Sequence, residues 1–121
     1  MPAFSTEIER NVNLQLGSKT FGPVVIDDDV VNLAITVDRA NFTNPAARFD
    51  AFFDLAIDGG EMREIGGLSG VGGPAFVDRP NVLATSITLR PGVNRTARVR
   101  YTLTGARFRT TVTVSGRADG I

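Results

Sequence analysis

The 121-residue chain predicts an all-β fold, an antiparallel β-sandwich that is Ig-like or jelly-roll-like, with eight or nine short strands in one domain spanning residues 1–121. Three observations lead there. Apolar and polar residues alternate with period two along much of the chain, β-branched residues crowd those segments, and Gly, Pro and Asp-Gly signals punctuate them. Apolar residues make up 42% of the sequence and charged residues 21%, values of an ordinary globular domain and not of a disordered or membrane-spanning chain. A chain of this size buries roughly two-thirds of its unfolded surface, enough for a core without covalent staples.

Taken in order, residues 1–10 are allowed as a flexible N-terminal arm. Val12, Leu14 and Leu16 form a short alternating face, and Phe21 to Ile26 is a strand interrupted by Gly22-Pro23. The acidic turn Asp27-Asp28-Asp29 follows, then a clean alternating face of Val31, Leu33, Ile35 and Val37. Residues 45–57 admit two readings. As a helix, Asn44 would be the N-cap, Pro45 the first helical residue, and Phe49, Phe52, Phe53 and Ala56 one face. As a strand, Ala51, Phe53, Leu55 and Ile57 point inward and Asp50, Asp54 and Asp58 outward, before Asp58-Gly59-Gly60 turns into Glu61 to Ile65. The strand is favoured, because Asp-Gly is a strong hairpin signal. Seven glycines between residues 59 and 73 argue for loops.

The last third predicts a three-strand meander over residues 82–115. Leu83, Thr85, Ile87 and Leu89 share one side, and Pro91-Gly92 suits the centre of a type II turn. Ala97, Val99, Tyr101 and Leu103 alternate with threonines and arginines, Gly105 supplies positive φ, and Phe108, Thr110, Val112 and Val114 alternate in turn. Read locally, this is a β-hairpin with one buried face.

The absence of cysteine removes disulfides and thiolate metal sites, and the absence of histidine removes the commonest general base and zinc ligand. No cofactor is expected. The acidic N-terminus without an apolar h-region is not expected to be a secretory signal, and without one the sequons at Asn41 and Asn94 read as chance. No apolar run approaches the ~20 residues needed to span a bilayer, so no membrane partner is expected. Paired carboxylates suit glycoside hydrolysis, but Asp50, Asp54 and Asp58 alternating outward read first as a solvated face. Lys19 beside Ser18 is a weaker nucleophile pair still. Asp27 to Asp29 could offer oxygen ligands to Ca²⁺, yet lack the spaced acidic loop that makes such a signal specific. The glycines of residues 66–73 are not followed by Gly-Lys-Ser/Thr, which sets aside a phosphate-binding loop.

Charge is balanced overall but unevenly spread. Residues 1–60 hold nine acids against four bases, a net of −5, and residues 61–121 hold nine arginines against four acids, a net of +5. Lys19 is the one lysine, a bias that a GC-rich coding background can produce without any function. On the expected hairpin Arg98, Arg100, Arg107 and Arg109 would share one patch, where mutual repulsion asks for counter-charge. Nucleic acid is one source, but stacking aromatics are scarce on that face, so nucleic acid is disfavoured. Carboxylates such as Asp50 and Asp54, from a neighbouring strand or subunit, are the favoured source.

Two resemblances arise. Asp58 and Gly60 in Leu55-Ala-Ile-Asp-Gly-Gly-Glu-Met-Arg63 resemble the Asp-box turn of sialidases and related β-propellers, with Ala56, Met62 and Arg63 departing from it. The match supports a hairpin and nothing about sugar cleavage. The second runs from Ile35-Thr-Val-Asp-Arg-Ala-Asn41 through Asp58-Gly-Gly and the glycine-rich stretch to Arg98-Val-Arg-Tyr-Thr-Leu-Thr-Gly105 and Thr110 to Val114. It looks like the small β-sandwich proteins of tailed bacteriophage virions, capsid decoration proteins and tail-associated modules. That resemblance implies a non-enzymatic virion component, a homo-oligomer bound to other virion proteins such as a major capsid or tail protein. The expected mechanism is docking by opposite charge, with the arginine patch of one chain meeting the acidic half of another. A carbohydrate-binding sandwich is the alternative, with Phe52 as its outward aromatic.

Overall fold

In a computed structural model, which describes residues 2–73 and 82–118, the alternating segments become eight strands. They are β1 (Pro2–Asn13), β2 (Gly17–Ile26), β3 (Asn32–Asp38), β4 (Arg48–Ile57), β5 (Arg63–Val71), β6 (Val82–Thr88), β7 (Arg95–Thr104) and β8 (Arg109–Arg117). The arm allowed at the N-terminus is replaced by β1, which pairs with β8 through three register shifts. Of the ambiguous residues 45–57, those from Arg48 on take the strand reading, and Pro45-Ala46 forms a turn.

The strands form two four-stranded antiparallel sheets, β1-β8-β3-β6 and β2-β7-β4-β5. Each outer strand of the sequence therefore pairs with its mirror in chain order: β1 with β8, β2 with β7, β3 with β6 and β4 with β5. This is the winding of a jelly roll, an eight-stranded sandwich of two Greek keys. The chain changes sheet at every connection but one. Among the described residues only β4 and β5 are joined as a sequence-local hairpin, at the turn signalled by Asp58-Gly59. Asp58 and Gly59 have φ of 53° and 72°, and the Gly60 amide donates to the Ile57 carbonyl at 2.9 Å. Two consecutive positive φ values define the type I′ turn that the dipeptide favours.

The meander expected over residues 82–115 is not formed. β7 lies in one sheet and β8 in the other, and the connection between β6 and β7 also crosses the sandwich. Alternation reports which side of a strand is buried; it carries no information on which strand lies beside it. Both halves of the expected hairpin do face the core, but from opposite sheets. Gly105 keeps its expected positive φ, 87°, in an arch, and a Cβ there would lie 1.6 Å from the Ala46 carbonyl oxygen. Gly92 is not among the positive-φ residues, so Pro91-Gly92 does not make a type II turn; its amide donates to the Asp28 carbonyl instead.

Between the sheets Leu33, Ile35 and Val37 of β3 and Val112 and Val114 of β8 meet Phe49, Ala51 and Phe53 of β4 and Val99, Tyr101 and Leu103 of β7. Phe42 and Phe108 close one end of the core with ring centroids 4.5 Å apart, and Phe49 stacks on Tyr101 at 5.6 Å. Burying each such ring contributes roughly 1.5–3 kcal/mol. The glycines expected in loops lie partly in β5. A Cβ at Gly66 or Gly70 would come within 2.7 Å of Ile87 or Leu83 of β6, so their bareness lets the two sheets approach at this margin. Among the described residues no helix is long and apolar enough to cross a membrane.

Candidate functional site

The outer face of the β2-β7-β4-β5 sheet carries the charged network. Register sets Asp54 of β4 opposite Arg98 of β7 and opposite Glu64 of β5, while Phe52 lies opposite Arg100. Asp54 is only 2% exposed. Its Oδ2 accepts from Arg98 Nε at 2.8 Å and from Arg100 Nε at 2.6 Å, and its Oδ1 accepts from Arg100 Nη2 at 3.0 Å. Arg100 Nη2 also reaches Glu64 Oε1 at 3.1 Å. Burial alone would push the Asp54 carboxyl up, but the hydrogen bonds from Arg100 and Arg98 outweigh it and hold the group below the usual range. The Asp54 carboxylate in turn raises Arg100.

Two pleat repeats away along β4, Asp50 accepts from Arg48 Nε at 3.0 Å and from Ser69 Oγ at 2.6 Å, and Arg48 leads the effects that lower its pKa. Neither carboxylate is the raised acid that glycoside hydrolysis requires. Asp58 sits in the hairpin turn, where it accepts from Asn94 Nδ2 at 3.2 Å. Phe52 does face outward, as the sugar-binding alternative needs, but the Arg100 guanidinium lies 5.3 Å from its ring centroid. Gly67 opposes it on β5, and a Cβ there would be 2.8 Å from Phe52 Cδ1. The ring is packed into the sheet surface and its face is shared with a cation.

The six residues singled out from sequence thus divide. Arg98, Arg100 and Asp54 come together, and Asp50 lies on the same face with its own partner. Arg107 and Arg109 do not join them. Arg107 is in the arch before β8, with its Nε 3.4 Å from the Leu14 carbonyl, and Arg109 begins β8, with Nη1 donating to the Asn11 carbonyl at 2.5 Å. The four-guanidinium patch does not exist, because its two halves belong to different sheets. The −5/+5 division of the chain is likewise interleaved by the winding, which sets acidic β4 directly beside basic β7. Asp78, Arg79 and Asp119, counted in that balance, lie outside the described residues.

Two further polar centres escaped the sequence reading. Arg95, at the start of β7, is 2% exposed, and its guanidinium donates to four carbonyls: Asp27 at 2.6 Å, Val30 at 2.8 Å, Arg90 at 2.9 Å and Gly92 at 3.0 Å. It ties the β2–β3 connection to the β6–β7 connection at one end of the sandwich. The acidic turn therefore acts here through backbone carbonyls. Among the described residues no group of three or more acidic side chains is placed to hold a metal ion. A signal for Arg95 was present, since it falls in phase with the inward set Ala97, Val99, Tyr101 and Leu103.

The second centre joins the edges of the two sheets. Glu9 of β1 accepts from Lys19 Nζ of β2 at 2.6 Å and from the Tyr101 hydroxyl of β7. Burial acts to raise Glu9, yet the Lys19 and Tyr101 hydrogen bonds prevail and its pKa is lowered. Burial first, then the Glu9 carboxylate, raises Tyr101. The clasp ties the edge strands β1 and β2, and with them the two sheets, to one another. Among the described residues no buried side-chain polar atom lacks a partner.

The geometry defines a jelly-roll sandwich in which the outer face of the β2-β7-β4-β5 sheet pairs its own charges. The chain matches no protein-family model and no curated protein.

Proposed function

We propose that this chain is a non-catalytic structural component of a tailed-bacteriophage particle, held by surface complementarity on a shell or tail lattice as part of an oligomer. The observation that supports this reading is the winding itself. Eight strands paired as β1/β8, β2/β7, β3/β6 and β4/β5 give the jelly roll used by viral capsid domains and by lectins. A fold hosts many functions, so the choice between these two rests on the outer face. There the outward aromatic Phe52 is shared with Arg100, whereas a sugar platform needs a bare ring. The resemblance to small virion sandwiches points the same way.

The mechanism differs from docking by opposite charge. Arg98 and Arg100 are already matched by Asp54 and Glu64 of their own chain, so they are not free to recruit another. Pairs of this kind set the shape and neutrality of a surface more than they supply affinity. Binding then rests on buried apolar area and backbone pairing. The test is electron cryo-microscopy of particles purified from a lysate in which this chain is produced. Eight-stranded density repeating on the shell or tail is the expected result. The chain recovered free of particles, with no such density, overturns the proposal.

A further inference from the structure

The four sheet margins of this sandwich are not alike. An edge strand presents unpaired backbone N–H and C=O groups and templates pairing with another chain unless charge, proline, glycine or irregularity blunts it. β1 carries Glu7, Glu9 and Arg10 and shifts register three times against β8. β2 carries Lys19 and breaks register between Phe21 and Val24 at Gly22-Pro23. β5 carries Arg63, Glu64 and three glycines. β6, Val-Leu-Ala-Thr-Ser-Ile-Thr, holds no charge, no proline and no glycine, and pairs with β3 over seven residues without a shift. Among the described residues no strand pairs with its other side.

We infer that β6 is a self-association edge, and that its occupant is β6 of a second copy, paired antiparallel about a two-fold axis through Thr85. This rests on the reading of the domain as an assembly module and names its first partner. In that register Leu83 meets the second copy's Ile87, Ala84 meets Ser86, and Val82 meets Thr88. Leu83, Thr85 and Ile87 keep the inward phase set by their partners Val37, Ile35 and Leu33 on β3. The two sandwiches then share one eight-stranded sheet. Charge decides among occupants. A two-fold pairing of β1 or β2 meets the register breaks of those strands, one of β5 meets its three glycines, and each brings charged side chains onto the seam that lose part of their water there. Pairing β6 with any of those strands sets an ionic side chain against an uncharged strand and strips part of its water without a counter-charge. β6 against β6 has neither defect, and an isologous contact of this type closes at a dimer.

The register makes a sharp test by sedimentation velocity, with hydrogen exchange as the second readout. The unaltered chain is expected to sediment at twice its 12.9 kDa, with β6 amides protected more as concentration rises. Ala84 and Ser86 are exposed, so substitutions there leave the core intact. Ala84→Lys with Ser86→Lys sets lysine opposite lysine twice and is expected to give a monomer with unchanged thermal unfolding. Ala84→Lys with Ser86→Glu sets opposite charges across the same seam and is expected to restore the dimer. A monomeric unaltered chain, or a dimer indifferent to the double lysine, overturns the inference. Binding to phage particles is scored separately: a monomer that still decorates them removes the β6 seam and leaves the virion reading, and a β6 dimer that never does so removes the virion reading alone.

Discussion

Replacing Arg95 by methionine should loosen one end of the sandwich by an amount that its contacts allow to be worked out. Four carbonyls lose a donor: those of Asp27, Val30, Arg90 and Gly92. The Val30 bond is buried, and an orphaned buried acceptor costs about 1–3 kcal/mol. The other three are part-buried and can take up water, so each counts for about 0.5–1 kcal/mol. Methionine keeps an apolar stem in place and removes the cost of holding a charge out of water, which returns about 1 kcal/mol. The net loss is about 3 kcal/mol. At an unfolding entropy of roughly 2 cal/mol/K per residue, that lowers Tm by about 12 °C for a domain of this length. The assay is reversible thermal and urea unfolding by circular dichroism, with exposed Arg63→Met as the control, expected to stay within about 0.5 kcal/mol of the unaltered chain. Arg95→Lys should recover less than half of the loss, because an ammonium cannot fork to four acceptors. A loss under about 1 kcal/mol for Arg95→Met would refute the stitching role.

Further outcomes follow from the same geometry. Asp54→Asn leaves two guanidiniums around a neutral amide and should cost about 1.5–3 kcal/mol in urea unfolding, discounted because Arg98 and Arg100 are partly exposed and can rehydrate. Asp50, Asp54 and Glu9 all have folded pKa values below their unfolded ones, so their stabilisation is present above the ordinary carboxylate pKa of about 4 and is lost as pH falls through the folded values. Tm should therefore drop below about pH 4, and the drop should be shallower for Asp54→Asn in a pH series of melts. Tyr101→Phe removes the hydroxyl that serves Glu9 and should cost about 1 kcal/mol, with the buried ring retained. Gly105→Ala places a methyl against the Ala46 carbonyl in a left-handed conformation and should cost more than about 3 kcal/mol, read as loss of soluble folded protein. Reversing Arg98 and Arg100 to Glu should lower stability and leave the mass of the assembled species unchanged, which sedimentation of the folded fraction checks.

What could be read from the residues was local. Alternation identified the inward faces of β3, β6, β7 and β8 and most of that of β4, where Ile57, expected inward, is exposed beside the turn; Asp58-Gly59 identified the one sequence-local hairpin among the described residues. Pairing between distant strands was not legible, because β7 takes its neighbours from residues 17–26 and 48–57, and no local spacing records that choice. The hairpin expected at Gly105 failed for that reason. The same gap hid the site. Asp54 and Arg98 are 44 positions apart and meet through register, while Glu9, Lys19 and Tyr101 meet only once two sheets stack. β5 was hidden differently. Its glycines look like loop residues until Leu83 and Ile87 are seen to need the space. Arg95 could have been found, since a charge in phase with four buried apolar residues asks what pairs it.

The separation of β7 from β8 into opposite sheets underlies the distribution of charge, the uncharged β6 edge and the assembly drawn from them. Backbone nuclear Overhauser contacts in the labelled protein test it most directly. The winding requires backbone contacts of Phe53 with Val99 and of Val37 with Val112. Backbone contacts between Val99 and Val112, the pairing a hairpin around Gly105 would impose, would contradict it.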